Sequence, residues 1–213
     1  EGIQYTGTGE NRVVTAENVQ LDHHADGQKS RGQYLPLLEL SVKEAPDDDR
    51  NTHYLAREYM FYGRYREAFD MFMRHLRMPS AVWRDERCAS MRYAAKCCSA
   101  LGEKKEARRW LLSACGEADY LREPWIELAE LYYAEKNWYA VIFLLREALK
   151  ITERPETYMT LPEAWSERPY DLLSLAYYYL GDRENALASV DKAISLAPTD
   201  ERLKSNRQFF EAL

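Results

Sequence analysis

Asp22, His23, His24 and Asp26 place four metal-competent side chains within five residues. An imidazole nitrogen beside carboxylate oxygens is a donor set for a divalent ion, and at a strand terminus a histidine can complete a site built mainly by carboxylates. His23 and His24 are therefore the candidate metal ligands. The same four residues also read as a solvated polar turn at the end of a strand, and their types alone leave both readings open.

Other reactive groups point to less chemistry. The four histidines, His23, His24, His53 and His75, form no recognisable motif with a serine or cysteine that would activate a nucleophile. Gly7 and Gly9 in YTGTGE are not followed by a helical pattern, as a phosphate-cradling loop requires. Cys88, Cys97, Cys98 and Cys115 contain no CxxC pair to seed a zinc site and read as structural thiols of a reduced, cytoplasmic chain. The acids Asp47–Asp49 precede a helix, where they favour its N-terminal dipole, so a cap is expected there rather than a metal site.

The elements that must position these groups follow from spacing. In Tyr54–Pro79, small Ala56 and Ala68 permit close approach of two antiparallel helices, Gly63 turns the chain, and Tyr59, Tyr65 and Phe72 fill the gap between them. That is the pattern of a tetratricopeptide repeat. Ala95, Gly102, Ala107, Leu111 and Ala114 repeat it. So do Leu128, Ala129, Tyr132, Lys136 (where glycine is expected), Leu145 and Ala148, and then Ser174, Tyr177, Gly181, Ala186, Val190 and Ala193. The turn positions 63, 102, 136 and 181 are 39, 34 and 45 residues apart, so two connections carry insertions. The longer one, ITERPETYMTLPEAWSERP, exceeds a plain inter-repeat turn, and such loops are often functional. Pro198 stops the last repeat. Beyond it a helix capped by Thr199 or Asp200 is expected to turn Leu203, Phe209 and Phe210 onto the stack, closing an apolar face that would otherwise be wet.

The first residues differ. Arg12–Thr15 and Asn18–Leu21 are short β-prone runs, marginal alone and expected to belong to a larger sheet. From Ser30, YLPLLELSVKEAP reads as a helix ending at Pro46. The expected architecture is thus all-α: a solenoid of about four helix pairs plus a capping helix over 47–213. It is preceded by a connecting helix at 27–46 and a short β/loop segment at 1–26.

Composition sets outer limits. The 213 residues suffice for a continuous solenoid core. With 35 Asp plus Glu against 29 Lys plus Arg, nucleic acid is a poor partner, because phosphate must be neutralised. No apolar run approaches the ~18–20 residues of a membrane span. The chain starts at Glu1 rather than Met, which leaves the true N-terminus unseen and makes Glu1 an expected cleavage boundary.

Taken together, EGIQYTG, VQLDHHAD, the run from KSRGQYLPLLEL through PDDDRN to YLAREY, REPWIELAELYY and LAPTDERLKSN resemble the C-terminal part of a family-2-type glycosyltransferase, in which tetratricopeptide repeats follow a GT-A catalytic domain. The resemblance implies that residues 1–26 are the tail of that domain. It implies that His23 or His24 joins an Asp-x-Asp pair around Mn²⁺ or Mg²⁺, holding a nucleotide sugar in the intact enzyme. The Asp-x-Asp half is missing from this chain, which therefore should not transfer sugar by itself.

The first helix of each repeat usually faces the concave side. That places Arg50, His53, Arg57 and Phe61 there in repeat one, and Arg92 and Lys96 in repeat two. Ile126, Glu130 and Tyr133 follow in repeat three, and Asp171, Tyr178 and Tyr179 in repeat four. Such a groove would be basic toward its N-terminal end, suited to a peptide carboxylate or a phosphate, and aromatic and acidic toward the other. Of these, Arg50, His53, Arg57, Arg92, Lys96, Tyr133, Tyr178 and Tyr179 are the candidate partner-binding residues, for a protein, peptide or glycan acceptor. Three functions follow: the repeat region of a metal-dependent glycosyltransferase, a free-standing scaffold that binds a peptide in its groove, or a structural spacer.

Overall fold

The computed structural model describes residues 31–212, and among them it contains ten α-helices and no strand. The proposed GT-A tail, its two short strands, and His23 and His24 lie outside the described residues. Helix α1, Tyr34–Glu44, leads into four antiparallel pairs. These are α2 (Asp49–Phe61) with α3 (Tyr65–Arg77), α4 (Arg84–Ala100) with α5 (Lys104–Glu117), α6 (Glu123–Ala134) with α7 (Trp138–Lys150), and α8 (Arg168–Tyr179) with α9 (Arg183–Leu196). Helix α10, Glu201–Glu211, closes the stack.

Each pair turns by the same backbone device. Gly63, Gly102 and Gly181 have φ of 73°, 81° and 75°, and Lys136 takes the same left-handed region at 58°. After each, an amide donates back to a carbonyl five residues earlier: Arg64 to Tyr59 at 2.9 Å, Glu103 to Cys98 at 2.8 Å, Asn137 to Tyr132 and Asp182 to Tyr177 at 3.0 Å. This closure satisfies carbonyls that a helix end leaves orphaned. Lys136 forms it at a steric cost of roughly 1–2 kcal/mol that glycine avoids.

The small residues lie where the helices cross. Ala56, Ala68, Ala107, Ala129, Ala148, Ala176 and Ala186 are fully buried. One apolar cluster runs from α4 to α8, with Leu128, Val141 and Leu145 at its centre and Trp110, Trp125 and Trp138 along its margin. In repeat one Phe72 fills the gap between helices, and Val190, Leu203 and Phe210 join repeat four to α10. Phe209, expected on the stack, is 66% exposed, because it stands one residue and about 100° of helix turn away from buried Phe210. Placing a tryptophan at Ala129, which is fully buried, is expected to destabilise the fold by about 1–3 kcal/mol. An unchanged thermal melt of Ala129→Trp would contradict this helix register.

Caps set the helix starts. Asp48 accepts from the Asn51 amide at 2.8 Å, so the central acid of Asp47–Asp49 is the N-cap and Asp49 is the first helical residue. Asn137, Asp182 and Asp200 cap α7, α9 and α10 in the same way.

The insertion between α7 and α8 folds back over the repeats. Its Leu161 amide and the Trp165 indole both donate to Glu123 Oε1 in the first turn of α6, at 2.9 and 3.2 Å. Further out, Tyr158 donates to Glu86 Oε2 in the first turn of α4 at 3.1 Å and packs on Trp83 with ring centroids 5.2 Å apart. The Arg50 guanidinium, in the first turn of α2, lies 5.9 Å from the Tyr158 ring. This one segment thus touches three successive first helices.

Candidate functional site: a concave groove and a buried polar junction

The first helices α4, α6 and α8, with α10, floor a groove whose charges are arranged as cross-links. Arg92 of α4 donates to both carboxylate oxygens of Glu127 on α6, at 3.0 and 2.7 Å, and Lys96 joins at 3.0 Å. Arg168 of α8 reaches Glu130 of α6 at 2.8 Å, and Arg202 of α10 holds Asp171 of α8 through two 3.0 Å bonds. Arg92 and Arg202 each match a carboxylate through two parallel donors, so those rungs fix geometry as well as charge, whereas both donors of Arg168 meet one oxygen of Glu130. Burial works against the charge of Glu127, and Arg92 and Lys96 outweigh it, holding its carboxyl below the ordinary range. Cavities of about 340 and 400 Å³ lie between these helices, the first beside Leu111 and Leu131 and the second beneath Leu161 and Ala164 of the insertion.

The expectation of a basic N-terminal half is corrected by this pairing. Arg92 is 1% exposed and bound to Glu127, and Lys96, though exposed, shares the same partner. His53 is fully buried and does not face the groove. Asp171 and Ile126, also expected on the surface, are buried against neighbouring helices. The position of each on its own helix is as expected; the next repeat covers it. Arg50 stays exposed. Arg57 lies half-buried among the rings of Tyr54, Phe61 and Tyr93, 5.6–6.0 Å from their centroids.

The aromatic residues of repeats three and four divide. Tyr179 stacks on Trp138 at 4.4 Å with planes 12° apart and is 54% exposed, and Tyr133 meets the edge of the same indole at 5.2 Å. Tyr178 instead packs on Phe210 of α10 at 4.9 Å. Tyr133 and Tyr179 therefore present one aromatic surface around Trp138, and Tyr178 belongs mainly to the capping contact.

A second constellation, which the sequence did not disclose, lies where repeats one and two meet. Ser90 Oγ is 2.7 Å from His53 Nδ1 and 2.9 Å from His75 Nδ1. His75 Nε2 lies 3.3 Å from Glu86 Oε1. Burial holds the His53 pKa down to about 3. For Glu86, burial opposes the charge, but bonding to His75 and Tyr158 prevails and keeps the carboxyl below its ordinary range. Ser90, His75 and Glu86 have the connectivity of a nucleophile triad, yet Ser90 and His75 are fully buried and no substrate can reach the hydroxyl. Asp49 adds a carboxylate, and one ligand atom from each of Asp49, His75 and Glu86 lies within 4.8 Å of the others. These residues are 26 and 11 positions apart in sequence, a spacing that matches no motif. Aligning the repeats as helix pairs is the signal that would have brought the last turn of α3 beside the first turns of α2 and α4.

The four cysteines are free and buried. Burial pushes the thiols of Cys88, Cys97 and Cys115 up to about 12 and that of Cys98 up to about 11, which leaves them unreactive at neutral pH.

Comparison with known proteins fits this geometry. MamA has a structure similar to this chain, with a TM-score of 0.63 at 16% identity, covering 85% of this chain and 99% of that one. The fold is a tetratricopeptide-repeat solenoid. The C-terminal part of a TPR repeat-containing protein from Cytophaga hutchinsonii gives a TM-score of 0.68 at 15% identity, covering 85% of this chain and 65% of that one. YrrB, described as a TPR protein with an unusual peptide-binding site, gives 0.60 at 18% identity and covers 83% of both chains. Residues 123–213 match the family described as the prolyl 4-hydroxylase peptide-substrate-binding domain. A search of curated proteins gave no match. These findings support the repeats and give no support to a GT-A glycosyltransferase parent. Within the most specific run of that resemblance, Leu55 and Ala56 of α2 are buried and Tyr59 donates to Glu39 of α1 at 2.9 Å, whereas Tyr34, Leu37 and Leu40 of α1 are exposed.

Proposed function

We propose that this chain is a peptide-binding scaffold whose concave groove holds an extended segment of a protein partner. The observation that carries the reading is the groove over repeats three and four. There the exposed Tyr179–Trp138 stack and Tyr133 adjoin a floor of alternating charge, within the stretch that resembles a peptide-substrate-binding domain. Rigid aromatic faces take up apolar side chains and proline rings at small entropic cost, and proline-rich segments dock in aromatic-lined grooves by this means. Because each Arg rung is already neutralised, the floor offers polar contacts without the unpaired positive field that a polyanion seeks. That arrangement favours a peptide over nucleic acid. Neither the fold nor the comparisons favour a glycan acceptor or a nucleotide sugar, so the scaffold is preferred to a transferase appendage. The free, buried thiols support a reducing compartment such as the cytoplasm.

The test is selection from a displayed library of random peptides on the immobilised chain, followed by fluorescence anisotropy of the selected sequences. Selected peptides are expected to bind wild type and to lose about tenfold or more in affinity for Tyr179→Ala, roughly 1.4 kcal/mol. Tyr179 is largely exposed, so the variant should melt like the wild type. A failure to select any peptide, or equal binding by the variant, refutes the groove as the peptide site.

A further inference from the structure

The junction of repeats one and two carries two carboxylates that face one imidazole, drawn from three different helices. We infer that Asp49, His75 and Glu86 form a binding site for a single divalent transition-metal ion, Zn²⁺ foremost. It is distinct from the groove and from His23 and His24.

Three observations converge on this site. First, the donor atoms are gathered without a charge partner sufficient for both acids. Glu86 has His75 and the Tyr158 hydroxyl, whereas Asp49 has no ion pair or hydrogen bond to another side chain among the described residues. Two carboxylates whose oxygens lie within 4.8 Å repel one another unless a proton or cation stands between them. Second, the imidazole is already held as a metal-bound histidine is held. His75 Nδ1 is 2.9 Å from Ser90 Oγ, which leaves Nε2 directed at the carboxylates, and ligand histidines ordinarily engage their second nitrogen in this manner. Third, the proton inventory allows two states. Ser90 has one hydroxyl hydrogen for two Nδ1 atoms, so at least one of the two rings must donate to it. Without an ion, His75 donates from Nε2 to Glu86 and accepts at Nδ1. His53 then donates from its own Nδ1, and its bare Nε2 has no partner, as observed. With an ion, His75 moves its proton to Nδ1, donates to Ser90, and turns the Nε2 lone pair on the metal.

The donor set selects the ion. One nitrogen and two carboxylate oxygens suit Zn²⁺ and its transition-metal neighbours, whereas Mg²⁺ and Ca²⁺ prefer oxygen alone. Asp49 is half-buried and gives the ion a way in, while His75 and Glu86 are buried. The Tyr158 hydroxyl on Glu86 Oε2 ties the insertion to the same carboxylate, so occupancy would hold α2, α3, α4 and the insertion together.

The test uses the full chain, stripped with a chelator and dialysed, and titrated with ZnCl₂ by calorimetry. One Zn²⁺ per chain is expected, with a higher melting temperature because the ligands converge only in the folded state. Excess MgCl₂ should not displace it. Asp49→Asn, at a half-exposed helix start, should keep the helical spectrum and weaken binding by at least about tenfold. In ¹⁵N imidazole spectra, Zn²⁺ should move the His75 signals to those of an Nδ1–H, Nε2-metallated ring. The double variant His23→Ala/His24→Ala should bind as wild type. Unaltered binding by Asp49→Asn, an unmoved His75 resonance, or loss of the ion in the His23/His24 variant would each overturn the assignment.

Discussion

Arg92→Ala is expected to lower the unfolding free energy by about 3 kcal/mol at neutral pH. The guanidinium is buried and makes two bonds to Glu127, so its removal strands a carboxylate that has only Lys96 left to answer it. Breaking a buried pair from one side costs about 3–5 kcal/mol. Lys96, whose side chain is 48% exposed, recovers part of that, which places the value at the lower end. The double variant Arg92→Met/Glu127→Leu should regain most of the loss, because a well-packed apolar pair replaces a desolvated ionic one at little net cost. Urea unfolding of the three proteins decides the matter. A single variant within about 1 kcal/mol of wild type would mean that the rung is solvated and contributes little, as exposed pairs do.

Acid is expected to destabilise the chain well before its carboxylates titrate. His53 has a folded-state pKa near 3, lowered chiefly by burial, with the fields of His75 and Arg57 adding to it and that of Glu86 opposing. The unfolded chain takes up that proton near pH 6.5. Its contribution to stability is therefore complete above pH 6.5 and is lost as pH falls toward 3, by about 2 kcal/mol at pH 5. Glu86 and Glu127, held below the ordinary carboxylate range, add their own losses only at lower pH. Stability measured from pH 7 to 5 in chelator should fall accordingly. His53→Gln, which keeps a polar group near Ser90 but takes up no proton, should flatten that interval. An equally steep decline in the variant would assign the acid sensitivity to another group.

Much of the fold was legible because repeat packing depends on residue size at fixed spacing. Ala56, Ala68 and Gly63 specify a helix crossing and a turn from local sequence alone, and even Lys136 was placed at its turn by register with the glycines. The groove was less legible. Arg92 and His53 occupy first-helix positions as expected, but their exposure depends on the neighbouring repeat, and a single-repeat reading cannot include Glu127 or Ser90. The charge ladder and the Asp49, His75 and Glu86 cluster are invisible in sequence for the same reason. Each draws its residues from several helices, with no spacing to mark it. The acids Asp47–Asp49 show the limit of local reasoning, since Asp48 takes the capping role and leaves its neighbour for the junction.

A solenoid ordinarily behaves as a row of units that feel only their nearest neighbours, so its ends can fray while its middle holds. The insertion that carries Tyr158 to Glu86, 72 positions away in sequence, breaks that rule. Repeat two cannot peel from the array without first releasing a segment anchored beyond repeat three. Loss of order at the N-terminal end is thereby linked to the middle of the stack. The row then unfolds more nearly as one cooperative body, and it folds more slowly than its local helical contacts alone would allow.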